Sequence, residues 1–558
     1  MPDSRTDTVF LDAVTAAADE RAQEVLAGVD ELLAGAPHHR AVMSAAKALV
    51  ACGVHRASAF YASEDAARAA ERLVAFLARM QGGNGLFDAE NLASPPDTAF
   101  TVNDLCDTYA LLRDAPEPLR PLAGALEPIA MAAAGPLRLG GVHTPNHRWE
   151  LCAALARLNA HWPDERLVAR VEEWLAEGID IAPDGLYSER SPNYSLHVSN
   201  PSLTAIGTLL GRPELLDAVY RNLEAVAATA LPDGTVETVH SRRQDQRVPI
   251  PLAPFLMQFR RFAIARERGD FAAVVREILE SPIAYPSEAL AEILLEPALA
   301  GPLPEAEAPK PVSAVFDSAG LAVIRDDDFA VTVFGGTDYA EHGWIRSGLS
   351  SNPTFLRVFA GEAVLDSVRL SRDFFGMGPF RSGDFELDEG SFVLTERVAA
   401  AYYHPLPAEF RRADGEYALT DDGRFSASMD FPHRPREVLS LETEARVRVG
   451  ERAVRLDIAA DPGRVRQVLE LAFREGGELE GVRPSASGGF EPVGGEFAYA
   501  AGGHRIAVSV DGPGTGPALG YHPGEDYTHL SGTDAAQGLR VYVPLPSSGR
   551  STVVFQAR

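Results

Sequence analysis

The chain has 558 residues, 46% of them apolar, and carries 79 acidic against 51 basic side chains for a formal charge of −28. That apolar share excludes global disorder. The acidic excess speaks against a nucleic-acid backbone or an anionic membrane surface as the main partner, since both require a basic footprint. Three cysteines, Cys52, Cys106 and Cys152, are too few and too odd in number for a disulfide framework, and their apolar helical surroundings predict buried, reduced thiols. Met1 to Asp7 shows no basic stretch leading into an apolar run. No apolar run reaches the ~18 residues of a membrane helix. The expectation is a soluble, cytoplasmic protein.

Residues 8 to about 295 read as successive helices. Leu167, Val171, Trp174 and Leu175 form one apolar stripe with Arg170, Glu172 and Glu173 opposite. Similar stripes recur over 41–51, 65–80, 103–113, 149–159, 203–210, 214–229 and 253–268. The connectors Gln81-Gly82-Gly83-Asn84-Gly85, Ala182-Pro183-Asp184-Gly185 and Leu231-Pro232-Asp233-Gly234 are alike in kind. Helical hairpins joined by such turns predict a helical array closed into an (α/α) toroid over 1–295. A proline-rich linker over 296–312 follows. From 313 to 558 the period changes to two: Phe329–Phe334, a hairpin over 354–365, a second over 442–458, and strands at 506–510, 539–543 and 552–555. Glycine turns between many such strands predict an antiparallel β-sandwich. The fold class expected is multidomain α+β.

No phosphate-binding glycine loop, nucleophile elbow or paired metal-ligand motif occurs. Chemistry is concentrated instead in polar segments. Asp97, after Pro95-Pro96, stands before a helix, where it or Thr98 is placed to cap. Asn146-His147-Arg148 opens another helix, and a helix N-terminus adds positive potential suited to a carboxylate. Tyr194 follows Asp184-Gly185 and Glu189 in a loop where a phenol can move a proton if positive charge activates it. Tyr187 in the same segment reads as a packing residue. Arg242 and Arg243 follow the third turn as a basic pair. In the strand region His342, Trp344 and Arg346 follow a strand, with Gly343 allowing close approach to a partner.

These segments, in this order, resemble the heparinase II/III-like polysaccharide lyases and the related oligoalginate lyases. The family's Asn-His pair is matched by Asn146-His147, its loop tyrosine by Tyr194, and its β-domain histidine by His342-Gly343. Trp344 stands where that family has a second His, and Arg346 where Asp is usual. The resemblance implies β-elimination at a uronic acid, with Asn146 holding the carboxylate, assisted by Arg148. It makes Tyr194 the general acid and candidate base, and His147 or His342 the alternative base. Asp97, Glu189, Arg242, Arg243, Trp344 and Arg346 are expected to bind substrate. The scheme requires no metal or organic cofactor, and its partner is a uronate-containing oligosaccharide, with a homodimer an open expectation. Two other readings stand beside it: an (α/α) glycoside hydrolase using carboxylates from among Asp97, Asp184 and Glu189, and a carbohydrate-binding protein without turnover.

Overall fold

The computed structural model describes residues 6–88, 92–343, 345, 348–486, 488–512, 528–529, 532–533, 536–547 and 549–558. The chain forms two compact units. One takes 1–188, 193–227 and 251–309; the other takes 189–192, 228–250 and 310–558.

The first unit is helical. Its opening helices are α1 (Thr8–Ala34), α2 (His39–Val54), α3 (Glu64–Met80), α4 (Pro95–Leu111), α5 (Pro121–Leu139), α6 (Pro145–His161) and α7 (Glu165–Leu175). Alternate helices make an inner row: α2 packs on α4, α4 on α6, and α6 on Asn200–Leu209. The last helix, Pro286–Leu295, packs on both α1 and α2 and closes the array. This is the expected toroid. The inner helices carry few surface charges, and α2 is buried along most of its length, from His39 through Ala51. Helix α5 has no counterpart among the apolar stripes seen in the sequence. Two internal prolines, Pro128 and Pro136, mask it, although Leu122, Leu126, Ile129, Ala133 and Leu137 are all buried. Cys52, Cys106 and Cys152 are free and buried, as expected.

The three similar connectors share one geometry. Each closes on an isolated bridge between residues six positions apart: Gln81 to Phe87, Ile181 to Tyr187, and Ala230 to Val236. In each the glycine sits at positive φ, with Gly85 at 82°, Gly185 at 89° and Gly234 at 75°. At Gly185 a Cβ would come within 2.5 Å of the Arg221 carbonyl oxygen, so no other residue fits the turn. The Asn or Asp before each glycine accepts the N–H two residues on, from Leu86, Leu186 and Thr235.

The second unit holds two large sheets. The nine-stranded sheet runs in the order Val482–Pro484, Phe490–Pro492, Leu539–Leu545, Gln467–Phe473, Ala363–Arg372, Leu356–Ala360, Phe329–Phe334, Leu321–Asp326, Val312–Phe316. The eight-stranded sheet runs Glu478–Glu480, Glu496–Ala501, His504–Asp511, Arg550–Ala557, Ala453–Asp461, Arg436–Val449, Ser391–Tyr403, Asp384–Asp388. Pairing is antiparallel apart from Phe490–Pro492 beside Leu539–Leu545. Val331, Val333, Leu365 and Leu471 from one sheet share a core with Leu394, Val447, Leu456 and Phe555 from the other.

Segment 228–250 belongs to this strand unit, although it precedes the linker and lies within the stretch expected to be toroid. Its Leu231 clusters with Ala330, Phe359 and Val364. Its Glu237 is fully buried and accepts from Thr332 Oγ1 at 2.6 Å and Arg357 Nη1 at 2.9 Å. That explains why every residue of Phe329–Phe334 is buried: Phe329, Val331 and Val333 face the core, while Ala330 and Thr332 face the strap. Residues 301–309 stay with the helical unit; Glu307 N–H donates to Gly269 O at 3.0 Å.

Candidate active site

Helix α4 begins at Pro95, ahead of the expected cap at Asp97 or Thr98. Two prolines fill its first turn, and Ser94 caps it by accepting the Asp97 N–H at 3.2 Å. Asp97 is thereby released from capping; it is buried and ion-paired with Arg40. The Arg40 guanidinium lies 3.8 Å from the Phe100 ring centroid. Phe100 in turn meets His147 edge-on at 6.1 Å, and His147 meets His143 at 4.8 Å. A continuous row, Asp97–Arg40–Phe100–His147, thus links the starts of α2, α4 and α6.

Asn146 occupies the first turn of α6 and is 1% exposed. Its Oδ1 accepts the Thr144 hydroxyl at 2.7 Å. With the oxygen occupied, the amide's donors point elsewhere, and Nδ2 finds no acceptor among the described residues. An unsatisfied buried donor of this kind costs about 1–3 kcal/mol, which a hydrogen-bonded ligand would remove. One turn further along the same face stands Glu150, 5% exposed. Its carboxylate accepts from Asn103 Nδ2 at 2.7 Å and Ser202 Oγ at 2.9 Å. Burial nevertheless raises its pKa to about 7.

Tyr194 closes the short helix Pro192–Tyr194 and leads directly into a π-helical turn, Ser195–Ser199. Such wide turns are frequent at functional sites because they redirect side chains without breaking the helix. Tyr194 is half-buried. The positive charge of Arg40 is within electrostatic reach of both Tyr194 and Glu150. Arg40 is the residue that sequence reasoning missed. Nothing near it in the sequence is unusual, and only tertiary folding brings it to these partners.

Arg148 turns away from this group. It pairs with Glu177 at 2.9 Å and Asp180 at 3.2 Å, and it lies over Trp149. Tyr187 is a packing residue: its hydroxyl donates to Asn200 Oδ1 at 2.9 Å, and burial pushes its pKa up.

The remaining candidates lie on the strand unit. Glu189 pairs with Arg243 at 2.6 Å. Arg242 grips Asp338 with two bonds, at 2.8 and 2.7 Å. Burial pushes Asp338 up, but Arg242 and the Ser350 N–H outweigh it and hold the carboxyl below its ordinary value. His342 ends a one-turn helix, Tyr339–His342, and is exposed; Gly343 caps that turn at φ 66°. Trp344 and Arg346 lie outside the described residues. Among the described residues no cluster of His, Cys, Asp and Glu is arranged to hold a metal ion, and no helix is long and apolar enough to cross a membrane.

No protein-family model and no curated protein matches the sequence. Solved structures do match. Heparinase III aligns over 89% of this chain and 74% of its own length at 11% identity, with a TM-score of 0.52. A second heparinase III aligns over 92% and 77% at 11% identity, TM-score 0.51. A Paenibacillus xanthan lyase aligns over 98% of this chain but 57% of its own, at 11% identity and TM-score 0.52. The fold is therefore the heparinase-type one, a helical toroid followed by antiparallel sheets.

Proposed function

We propose that the protein is a lyase that cleaves a uronic-acid-containing polysaccharide or oligosaccharide by β-elimination. The observation that carries this reading is the Asn146 amide, buried with its oxygen tied to Thr144 and its nitrogen without an acceptor among the described residues. Such a donor suits one oxygen of a substrate carboxylate. Hydrogen bonds aimed there stabilise the enolate-like species formed when the C5 proton leaves, by roughly 3–4 kcal/mol per donor. Arg40 adds positive charge to the same end of the toroid. A base removes the C5 proton, and that electron pair forms the C4–C5 double bond. The C4–O bond then breaks, and the leaving oxygen takes a proton. Tyr194 supplies that proton and is also a candidate base; His147 is the alternative. His342 on the strand unit is a further candidate, tested by His342→Ala.

The hydrolase reading requires two carboxyl groups free to act on the bond. Asp97 and Glu189 are each engaged by an arginine, and Asp184 accepts the Leu186 N–H within its own turn, which favours the lyase. The test is a screen of uronate-containing oligosaccharides, read by the near-ultraviolet absorbance of a 4,5-unsaturated product. Asn146→Ala is expected to abolish most of that signal while the protein stays folded. Cleavage without the chromophore, or full turnover in Asn146→Ala, would overturn the proposal.

A further inference from the structure

Between Tyr194 and the helix Asn200–Leu209 the chain makes one wide turn, Ser195–Ser199, in which the Asn200 N–H donates to Ser195 O. A regular α-helix would give that N–H to Leu196 O instead. The cause lies in the next residue. Pro201 has no N–H to donate, and a proline ring crowds the carbonyl four residues earlier, so a regular helix is disfavoured here. A turn with one extra residue puts everything before it out of step by one position, about 100° around the helix axis. The direction of Tyr194 therefore depends on this turn staying wide.

The wide form takes the helical donor away from the Leu196 carbonyl, and a side chain of another helix replaces it. Gln258, on the helix Leu256–Ala265, donates from Nε2 to Leu196 O at 2.8 Å, and its Oε1 accepts from Asn200 Nδ2 at 3.0 Å. One amide thus grips the turn in its middle and at its end. Asn200 is 0% exposed and uses its whole amide. Its Nδ2 also donates to Asn222 Oδ1 at 3.0 Å, and its Oδ1 accepts the Tyr187 hydroxyl at 2.9 Å. Asn222 donates in turn to Gly185 O at 2.9 Å, in the second connector. Buried polar groups bonded this completely hold a single geometry.

We propose that Gln258 is a positioning residue: by bonding Leu196 O and Asn200 it keeps the Ser195–Ser199 turn wide and so directs the Tyr194 phenol. This rests on the reading of Tyr194 as the group that moves the proton. It is tested on the full chain labelled with 3-fluorotyrosine, the Tyr194 fluorine resonance being assigned among 14 tyrosines by its absence in Tyr194→Phe. Gln258→Leu removes both bonds and keeps the bulk. Gln258→Glu keeps the acceptor for Asn200 but, when ionised, cannot donate to Leu196 O. Tyr187→Phe, which removes a bond to the same Asn200 without touching the turn, is the control.

In both Gln258 variants the Tyr194 resonance should move and kcat should fall roughly tenfold or more with KM little changed, since misplacing a reacting group by about 1 Å can cost 10²-fold. The control should change neither. Should Gln258→Leu fail to fold, Gln258→Glu carries the same two readouts. A lowered melting temperature with kcat and the resonance unchanged makes Gln258 merely structural and overturns the proposal. A fall in kcat without movement of the Tyr194 resonance, or movement without a fall in a protein that turns over uronate glycans, overturns it too, and in both cases the lyase stands. A resonance displaced in both variants of a protein that turns over no uronate glycan sinks the lyase and leaves Gln258 directing Tyr194.

Discussion

At the scale of single residues, sequence spacing explains what was legible and what was not. Asn146 and Arg148 belong to one short polar segment but stand two apart on a helix, and residues two apart do not share a face. Arg148 accordingly reaches Glu177 and Asp180, while Asn146 shares its face with Glu150. The positive charge beside Glu150 and Tyr194 is that of Arg40, over a hundred residues upstream, which no local pattern could reveal. The two tyrosines of the 184–197 segment separate on burial: Tyr187 is locked to Asn200, and Tyr194 is half-buried beside the π turn. Tyr194→Phe keeps the ring and removes the proton. Turnover should fall roughly 10²-fold or more, the scale of acid–base contributions, with little change in substrate affinity. Tyr187→Phe should leave turnover near normal and lower stability by about 1 kcal/mol, the net value of one buried hydrogen bond. Steady-state kinetics and melting of the two variants check this. Loss of turnover in Tyr187→Phe alone would show that the wrong tyrosine carries the chemistry.

Among the elements, the hairpins over 354–365 and 442–458 were legible because period-two patterning and a glycine turn coincide in each. They appear as Leu356–Ala360 with Ala363–Arg372, and Arg436–Val449 with Ala453–Asp461. Segment 228–250 was not assignable from its own residues. It carries the same Asp-Gly turn as the toroid connectors, yet its buried acid, Glu237, is satisfied by strand residues far along the chain. Burial works against that carboxylate, but Arg357, Thr332 and the Val239 N–H outweigh it and keep it ionised below the ordinary range. Glu237→Gln should cost roughly 3 kcal/mol, because it leaves a buried guanidinium partly uncompensated. The strand unit's melting temperature should drop by several degrees at pH 7 while the helical unit's transition holds. The deficit should shrink in acid, where the wild-type carboxylate is itself protonated and its advantage is lost. An equal deficit at every pH would mean that Glu237 acts by shape and not by charge.

For the molecule as a whole, the change of period near residue 312 was enough to announce two architectures, and the two respond differently to acid. In the helical unit burial holds His39 down to about 3, from an ordinary 6.5. Burial also lowers His55, His161 and His197. Each binds its proton less readily folded than unfolded, so the stability that depends on its neutral form is complete above pH 6.5 and is lost as pH falls below it. Glu150, raised by burial to about 7 from 4.5, and Glu292, also raised by burial, act in the opposite sense. Their folded forms hold protons more tightly, so they return stability as pH falls toward 4.5. Glu224, also raised by burial, acts in the same sense, and four histidines against three carboxyls leave a net loss between pH 7 and 5.

The strand unit's depressed carboxyls, Glu237, Asp338 and Asp366, lose their contribution only as pH falls below about 4, with the raised Glu396 a partial offset. Scanning calorimetry should therefore show the helical transition moving down between pH 7 and 5 while the strand transition stays in place, and the strand transition following below pH 4. Glu150→Gln keeps acceptance from Asn103 and can donate to Ser202, so it removes the offset without opening a cavity. In that variant the helical transition should fall more steeply between pH 7 and 5 than in the unaltered protein. A helical transition that rises on acidification, or a slope unchanged by Glu150→Gln, would show that these buried groups do not set the unit's response to acid.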